Sequence, residues 1–543
     1  MSKPQLIDKS APWQALSAHY KQLSPTTLSA LFDADPQRGK KFSASAHGIY
    51  FDYSKNLLTE TTLDLLEKLA NVAQLSTAIE SLFTGAHINT SEDRPALHTV
   101  LRSADSTDSK QTSALHTTRQ HTNQLADKLR KGLKKSSTGQ AFRNVVSIGI
   151  GGSDLGPRLV ASAFPEMQAA NIRTHFVANI DSDVLQNTLT QCKPETTLFL
   201  ISSKSFSTLE TLSNAEQARQ WLLDAGLNKE AIKHHLIAMT SKTEKALAWG
   251  IAPEHIFPMP DGVGGRFSLW SSIGLPIAIA IGPRAFNQLL AGARDMDEHF
   301  RNTPFRQNLP ALHGLLSIWS TNFNQHRSRA VLPYIHRLRE LPSYLQQLSM
   351  ESLGKRTSQN GQPCTYTTGT VIWGSEGTNG QHSFHQLLLQ GSETQAVEFI
   401  ASATPHCKTL PHKHLLANCF AQSRALMLGK SQQQALAEGL SQGLSDDDAA
   451  ALAPHKAIPG NRPSNTLLLK EFTPRTLGAL LALYEHSTYV QSVIWGINAF
   501  DQWAVELGKT MSASLFDALE HADTNTGFDS STQSLLDHIK NIH

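Results

Sequence analysis

The chain has 543 residues, a length that favours two to four domains over one compact core. Its 40% hydrophobic and 17% charged content is typical of a folded globular protein and excludes a disordered chain. Because 48 Lys+Arg balance 46 Asp+Glu, the formal net charge is only +2, which excludes a global field that would draw the chain to nucleic acid or a membrane; any anion site must be local.

The first part of the chain, up to about Arg102, has helical periodicity. The run TTLDLLEKLANVAQLSTAIESLF places Leu63, Leu65, Leu66 and Leu69 at helix-like spacing. The polar stretch 103–124 is interpreted as a surface connection with some helix. We therefore expect a helical N-terminal segment over residues 1–120 that packs on the larger domain.

Short β-branched runs alternate with helices from Asn144 onwards: NVVSIGI, THFVANI, TTLFLIS and HLIAMTS. Strands separated by helices favour a parallel sheet in an α/β domain. Long helices return after Pro283 and are followed by the strand-like pieces TYTTGTVIWG and QAVEFIA, which indicate a second α/β domain. The predicted domains span residues 121–288 and 289–512, and a helical arm follows at 513–543.

Cysteine usage and the N-terminus indicate a cytoplasmic protein. The four cysteines are scattered without a CxxC pair, so we expect neither a disulfide framework nor a zinc knuckle. The opening MSKPQLIDKSAPWQ lacks the apolar core of a secretory signal, and the apolar stretch IGLPIAIAIG is too short to span a bilayer.

The stretch SIGIGGSDLGP indicates a turn from a strand into a helix. We predict a strand through Ile150, glycines 151 and 152 that permit close backbone approach, Ser153 as the helix N-cap, and Pro157 in the first helical turn. Helix N-termini at the ends of parallel strands bind anions. Taken alone, a tight turn without a ligand is the simpler interpretation, and the full GxGxxG of a dinucleotide site is missing.

Two further turns could serve the same anion. In LISSKSFSTLETL, a strand that ends at Ile201 is followed by several hydroxyl side chains and one ammonium group. Ser207 and Glu210 have the spacing of a helix capping box. This composition suits a phosphate monoester, although a hydroxyl-rich cap beside a solvated lysine fits it equally. DGVGGRFSLW exposes Arg266 after paired glycines, and by itself it indicates a flexible loop with a surface arginine.

Glu351 is the candidate general base. LPSYLQQLSMESLGK predicts a helix from Pro342 with Leu345 and Leu348 inward and with Gly354 as its end. Glu351 then lies in the last turn, and Gln347 lies one turn earlier on the same face, where it could orient the base or a substrate hydroxyl. The alternative is an exposed glutamate at a helix end.

His382 is a second candidate for proton transfer, as an imidazole able to accept a proton. GTNGQHSFHQLLLQG predicts a helix capped by Thr378 or Asn379, with His382 in its first turn, where the helix dipole favours neutral imidazole. His382 and His385, at i and i+3, could ligate a metal, but no third ligand is spaced to match them, and a polar helix face is the simpler interpretation. The two histidines of PHKHLL lack a third ligand in the same way.

FDQWAVELGK predicts a two-sided helix. Gln502, Glu506 and Lys509 share one stripe, while Trp503 and Leu507 form the buried one. A surface salt bridge from Glu506 to Lys509 is the simpler interpretation, and a cleft lined by Gln502 and Lys509 is the functional one.

Together these stretches resemble the glucose-6-phosphate isomerase (phosphoglucose isomerase) family. The matching segments span nearly the whole chain in order: ALHTVLR, SIGIGGSDLGP, SKSFSTLETL, DGVGGRFSLWSSIGLP, MESLGK, GTNGQHSF, GNRPSNTLLLKEFTPRTLGALLALYEH, FDQWAVELGK and DSST. The resemblance implies two α/β domains of the sugar-isomerase (SIS) type, a homodimer, and no metal or organic cofactor. It also implies isomerisation of glucose 6-phosphate and fructose 6-phosphate through a cis-enediol. The balanced charge and the lack of a spanning segment lead us to expect no nucleic-acid or membrane partner.

The resemblance implies roles for the matching positions. The sugar phosphate would be held by Ser203, Lys204, Ser205 and Thr208. The sugar would be lined by Gly152, Ser153, Gln347 and Gln502. Glu351 would be the base and Arg266 would stabilise the enediolate. His382, contributed by the partner subunit, and Lys509 would open the sugar ring.

Several positions depart from the family pattern: Leu353, Ser375, Glu376, His385 and Leu389. None is a proposed site residue, so the activity is expected to survive. The alternatives are isomerisation of another phosphosugar, such as mannose 6-phosphate, and a non-catalytic sugar-phosphate sensor. A sensor would lack the base and ring-opening groups, which are present here.

Overall fold

The computed structural model describes residues 5–103, 110–406, 410–521 and 527–542. The contacts divide it into two compact units, a first that ends at Ala499 and a second that begins at Phe500. The strands are β1 (Ser43–Ala46), β2 (Ile49–Asp52), β3 (Asn144–Ile148), β4 (Arg173–Val177), β5 (Thr197–Ser202), β6 (Leu236–Thr240), β7 (Ile256–Pro258), β8 (Ser328–Pro333), β9 (Val371–Trp373), β10 (Ala396–Ser402) and β11 (Ser464–Leu469).

The helices fill most of the remaining chain. The α-helices are α1 (Ala11–Leu23), α2 (Leu28–Ala34), α3 (Arg38–Lys41), α4 (Glu60–Val72), α5 (Leu75–Phe83), α6 (Lys110–Arg130), α7 (Leu155–Ala163), α8 (Ser182–Leu189), α9 (Leu209–Asp224), α10 (Lys229–Ile232), α11 (Thr243–Trp249), α12 (Leu275–Ile281), α13 (Pro283–Asn302), α14 (Leu309–Ile318), α15 (Leu341–Leu345), α16 (Gly377–Gln381), α17 (His385–Gln390), α18 (Leu410–Leu428), α19 (Gln432–Ser441), α20 (Asp446–Lys456), α21 (Pro474–Trp495), α22 (Ala504–Glu520) and α23 (Ser530–Ile542). The 3₁₀ helices are Ile7–Lys9, Val100–Arg102, Gly151–Ser153, Pro165–Met167, Pro194–Thr196, Lys233–His235, Pro253–His255, Gly265–Trp270, Ser272–Gly274, Phe305–Gln307 and His336–Leu338. Two π-helical segments, Trp319–Phe323 and Gln346–Glu351, complete the described elements.

The first sheet is parallel throughout, in the order β4-β3-β5-β6-β7. Strands β3, β5 and β6 are buried along their whole length, as expected for a parallel sheet covered on both faces. The chain reverses its direction of travel across the sheet at β3, so a crevice forms beyond the ends of β3 and β5. The turns predicted to bind an anion lie at this edge.

The second sheet mixes both orientations, in the order β1-β2-β11-β10-β8-β9. Strands β11, β10, β8 and β9 run parallel, and the hairpin β1-β2 pairs antiparallel with β11. The N-terminal segment, predicted to be helical, therefore also contributes two strands, because its alternating SASAHGIYFD run pairs with β11. The predicted α/β class with two parallel-sheet regions is confirmed.

Helix α21 forms the centre of the first unit. It is buried on nearly every side, begins with a capping box between Thr473 and Thr476, and ends at Gly496, whose φ is +62°. It packs against α13 and α14. A helix that is buried on all sides is typical of the core of a large unit.

A fully buried ion network ties α21 to this core. Arg102 donates to Asp297 on α13 through Nε and Nη2, at 2.7 and 2.6 Å, and its Nη1 bonds Glu485 on α21. Trp270 donates to the other oxygen of Glu485 at 2.7 Å. Because Trp270 ends the 3₁₀ helix Gly265–Trp270, the network also anchors that helix.

The second unit contains α22 and α23, which pack together. Trp503 and Leu507, which the sequence predicted to be buried, are each 61% exposed. The prediction was wrong because α22 carries apolar residues around more of its surface than α23 can cover, including Met511 and Phe516. None of the described helices is long and apolar enough to cross a membrane.

Candidate active site

The turn after β3 is shaped by a neighbouring backbone. A 3₁₀ turn, Gly151–Ser153, separates β3 from α7, and Gly151 has φ +59°. A Cβ on Gly152 would lie 1.9 Å from the carbonyl oxygen of Gly265. Only glycine fits at position 152, because the loop that carries Arg266 packs directly against it. This contact explains the bare backbone of SIGIGGSDLGP.

The predicted boundaries of this turn need correction. Strand β3 ends at Ile148, two residues before the predicted end, because the chain turns into the 3₁₀ segment. The N-cap of α7 is Asp154 and not Ser153, and Asp154 makes no side-chain cap hydrogen bond. Pro157 lies in the first turn of α7, as predicted.

The loop after β5, residues 203–208, is hereafter the hydroxyl loop. The hydroxyls of Ser203 and Thr208 are hydrogen-bonded at 3.0 Å, and Ser207 donates to Ser205 at 2.9 Å. The predicted capping box of Ser207 with Glu210 is wrong, since the N-cap of α9 is Thr208 and the Ser207 hydroxyl is engaged within the loop. The hydroxyls are thus gathered in one turn before a helix N-terminus.

Positive charge surrounds the hydroxyl loop. Lys204 donates from Nζ to the carbonyl of Asp261 at 2.7 Å, and Lys245 donates to the carbonyl of Ser205 at 3.3 Å. Burial lowers the pKa of Lys204, and the nearby positive charge of Arg94 lowers it further. Hydroxyls, ammonium groups and a helix N-terminus together suit a phosphate group.

Arg266 is buried, so it is not the surface arginine of a flexible loop. Its side chain is 1% exposed and lies in the 3₁₀ helix Gly265–Trp270. It donates from Nε to the hydroxyl of Ser352 at 2.6 Å and from Nη2 to the carbonyl of Ala499. Its Nη1 lies 3.6 Å from Oε1 of Glu351.

Glu351 and Gln347 lie on a π-helical turn that sequence analysis did not foresee. The helix predicted from Pro342 begins at Leu341 as α15 and widens into the π segment Gln346–Glu351. Leu345 and Leu348 are buried and the helical conformation stops before Gly354, as predicted. Single π-turns occur frequently at functional sites. Oε2 of Glu351 is buried without a hydrogen-bond partner among the described residues.

These segments converge at one edge of the first sheet. A Cβ on Gly149 would lie 3.0 Å from Cβ of Ser202, just before the hydroxyl loop, and one on Gly151 would lie 2.9 Å from Nε2 of Gln347. The loops after β3, β5 and β7 and the π-helical turn therefore share one region. A carboxylate beside a fixed guanidinium can move a proton next to a carbonyl, because the guanidinium stabilises the developing oxyanion.

His382 is not placed as the sequence predicted. Helix α16 begins at Gly377 after Glu376 as N-cap, and His382 is the residue after its last turn. His382 therefore does not lie in the first turn of a helix, on which the argument from the helix dipole depended. His382 is exposed and its ring makes no hydrogen bond within the described part of the chain. Glu376, a departure from the family pattern, pairs with His336.

Gln502 and Lys509 belong to the second unit. Gln502 precedes α22, and Lys509 lies on it with an exposed side chain. Lys509 pairs with Glu506 at 2.9 Å, which is the surface salt bridge that the sequence left as the alternative.

Sequence analysis missed Ser352 and Asp154. Ser352 orients Arg266, and its adjacency to Glu351 in MESLGK was the available signal. Asp154 is buried beside Ser153, and burial raises its pKa to about 6 against the opposing charge of Arg158. Among the described residues, no three His, Cys, Asp or Glu side chains form a group that could hold a metal ion.

The fold and the site define an α/β protein in which the hydroxyl loop and a carboxylate beside a buried arginine lie at the carboxyl edge of a parallel sheet. The sequence profile of phosphoglucose isomerase matches residues 52–536. The chain belongs to the phosphoglucose isomerase family.

Full-length relatives agree with this assignment. A glucose-6-phosphate isomerase from Marinomonas sp. is 47% identical over 547 residues, which cover 99% of both chains. One from Saccharophagus degradans is 46% identical over 538 residues, covering 99% of this chain and 98% of the relative. The crystal structure of a glucose-6-phosphate isomerase from Chlamydia trachomatis superposes with a TM-score of 0.85 at 30% identity, covering 99% of this chain and 100% of that one.

Proposed function

We propose that this chain interconverts glucose 6-phosphate and fructose 6-phosphate in the cytoplasm, as a step of glycolysis and gluconeogenesis. The observation that carries the proposal is the pair formed by Arg266 and Glu351, 3.6 Å apart, at the sheet edge that also holds the hydroxyl loop. Family membership supports the same reaction.

The hydroxyl loop binds the phosphate of the substrate. Ser203, Ser205 and Thr208 supply hydroxyl donors and Lys204 supplies the charge that balances the ester. On binding, the phosphate replaces the Asp261 carbonyl as an acceptor of the Lys204 ammonium. The phosphate fixes one end of the sugar, so its reacting carbons are held at a set distance.

The sugar chain then extends from the phosphate towards Glu351. It is lined by four residues of the matching motifs: Gly152, Ser153, Gln347 and Gln502. The contact between Gly151 and Gln347 supports this path, because it places the turn after β3 against the π-helical turn.

Glu351 acts as the base in the proton transfer. One of its oxygens takes the proton from C2, the electron pair forms the cis-enediolate, and the same carboxyl returns the proton to C1. The hydroxyl proton of O2 passes to O1 as the carbonyl moves from C1 to C2. Arg266 stabilises the negative charge that develops on the substrate oxygen. Both groups return to their starting protonation state after each turnover.

Ring opening precedes the proton transfer. His382 and Lys509 exchange the proton between the ring oxygen and the anomeric hydroxyl. The chain acts as a homodimer, and His382 enters the site of the partner subunit. The exposed position of His382 after α16 supports a role outside its own subunit's core.

A coupled assay tests the proposal. Purified chain is given fructose 6-phosphate, and glucose 6-phosphate is detected enzymatically. Glu351→Gln should lower kcat by at least about 10³-fold, because the amide cannot accept the C2 proton, while the affinity for 6-phosphogluconate stays near that of the wild type. Glu393→Gln, an exposed glutamate before β10, is the matched control.

The outcomes separate the alternatives. A wild-type chain that binds 6-phosphogluconate but does not convert fructose 6-phosphate would be a sensor. A chain with a higher kcat/KM for mannose 6-phosphate would be an isomerase of another phosphosugar. Wild-type rates in Glu351→Gln would refute the assignment of the base.

A further inference from the structure

Arg158 connects two parts of the candidate site that come from distant stretches of the chain. It lies on α7, and its Nη2 is 3.0 Å from Oδ2 of Asp154. Its Nη1 is 3.8 Å from Oε2 of Glu340. Asp154 follows Ser153 directly, and Glu340 is the N-cap of α15.

The position of Glu340 matters because α15 continues without a break into the π-helical turn that ends at Glu351. We propose that Asp154, Arg158 and Glu340 form a clamp of positioning residues that sets the distance between the turn after β3 and the base Glu351. This proposal rests on the proposed function, in which that turn lines the sugar.

The surrounding packing supports such a clamp. A Cβ on Gly156 would lie 3.0 Å from Cβ of Leu269 and 3.5 Å from the ring of Tyr344, so α7 is pressed against both the Arg266 helix and α15. A second arginine bridges the two segments next to them in the chain, since Arg337, in the 3₁₀ helix before α15, bonds both oxygens of Glu166, in the 3₁₀ helix after α7, at 2.7 Å. The clamp therefore acts between surfaces that already touch.

The two ends of the clamp differ in burial. The Asp154 side chain is 4% exposed, and its Oδ1 has no hydrogen-bond partner among the described residues. The Arg158 and Glu340 side chains are 40% and 28% exposed. The pair of Arg158 with Glu340 is partly exposed and such pairs contribute little to stability, so Glu340→Gln is expected to act on the reaction more than on folding. A misplacement of about 1 Å can lower a rate about 100-fold.

The test compares Arg158→Gln and Glu340→Gln with Arg301→Gln. Arg301 forms an equivalent surface pair with Glu80, at 2.7 Å, that touches no candidate site residue. We expect both clamp variants to lower kcat for fructose 6-phosphate about 10-fold with KM within about 3-fold. Arg301→Gln should keep the wild-type kcat. Equal kcat in all three variants would overturn the proposal.

The double variant Arg158→Gln/Glu340→Gln tests whether the residues act as a unit. If they do, the double variant loses no more activity than the worse single variant. Two independent losses that multiply would contradict a shared clamp. Should Arg158→Gln fail to fold, Glu340→Gln alone decides, because its side chain lies at the exposed end.

Hydrogen exchange separates this proposal from the proposed function. Amides of residues 346–351 should exchange faster in Arg158→Gln than in Arg301→Gln, whether or not the chain isomerises sugars. A wild type without isomerase activity would refute the function and leave this readout intact. Unchanged exchange in an active Arg158→Gln would refute the clamp alone.

The pH profile supplies a further readout. Burial raises the pKa of Asp154 to about 6, the Glu340 charge raises it too, and Arg158 opposes the rise. Arg339 also faces Glu340, at 4.0 Å. Asp154 therefore loses its charge as the pH falls through about 6, and the wild-type kcat should fall there. Asp154→Asn should lack this decline, and an identical acid limb in the variant would contradict the role of Asp154.

Discussion

Arg266 approaches Glu351 on one side only. Its Nη1 lies 3.6 Å from Oε1, while Oε2 is buried without a hydrogen-bond partner among the described residues. The arginine thus orients the carboxylate and leaves one oxygen available for a proton. The arginine is itself fixed by Ser352 and by the carbonyl of Ala499, so the pair is set before substrate arrives.

Arg266→Lys should lower kcat about 10² to 10³-fold while KM stays within about 3-fold. A lysine keeps the charge but cannot bond Ser352, the Ala499 carbonyl and the substrate oxygen at once. Steady-state kinetics with fructose 6-phosphate measure this loss. Ser352→Ala, which removes one bond and keeps the guanidinium, should cost only about 10-fold. A lysine variant with the wild-type kcat would show that the charge alone suffices.

Gly152→Ala should destabilise the protein by about 3 kcal/mol or more. Its new Cβ would overlap the Gly265 carbonyl at 1.9 Å, which is backbone and cannot move aside without displacing Arg266. Denaturant unfolding measures the loss. Gly265→Ala is the control, since no atom of the described residues lies within 4 Å of its built Cβ. Equal stability of the two variants would contradict this close contact.

Much of the site could be predicted from the sequence because local chemistry fixes it. Strand patterns ending in Gly-Gly-Ser and Ser-Lys-Ser located the turns at the edge of the first sheet, and β5 ends within one residue of the prediction. Parallel sheets bring the carboxyl ends of neighbouring strands together, so the meeting of these turns follows from the topology.

The remaining features depend on contacts between distant residues. The π-helical turn at Glu351 could not be predicted from the spacing of apolar residues, because that spacing is the same as in an ordinary α-helix. The burial of Arg266 requires Ser352 and Ala499, which lie 86 and 233 positions away. The sequence predicted one continuous helix through His382, but the structure has a break there between α16 and α17. The predicted effect of a helix N-terminus on this imidazole therefore lost its basis.

Lys204 should make phosphosugar affinity sensitive to alkaline pH. Burial lowers its pKa below 10.5, so it loses its proton, and its attraction for the ester, at a lower pH than an exposed lysine. The Kd for 6-phosphogluconate, measured from pH 7 to 10, should therefore rise with pH.

Two variants check that Lys204 causes this effect. Lys204→Arg should flatten the rise because arginine stays protonated over this range, and Lys204→Met should weaken binding on the order of 10-fold at pH 7. The same pH dependence in Lys204→Arg would assign the effect to another group.

Glu398 should carry part of the acid sensitivity of folding. It is fully buried on β10, where it contacts His313 at 2.7 Å and accepts a hydrogen bond from Tyr484 at 2.5 Å. Burial alone would raise its pKa, but the charges of His313 and Arg329 outweigh burial and lower it to about 2. Because the folded pKa lies below the ordinary 4.5, its stabilisation is present above pH 4.5 and is lost as the pH falls towards 2.

Glu398→Gln should therefore cost about 3 to 5 kcal/mol at pH 7, since Arg329 loses a buried counter-charge and His313 and Tyr484 lose a charged hydrogen-bond partner. The gap in unfolding free energy between wild type and variant should narrow as the pH falls from about 4.5 to 2. Urea unfolding at a series of pH values measures this gap, and Glu393→Gln, an exposed neighbour ahead of β10, serves as the control. A gap that stayed constant across that range would contradict the prediction, because it would mean that the pKa of Glu398 is the same in the folded and the unfolded protein.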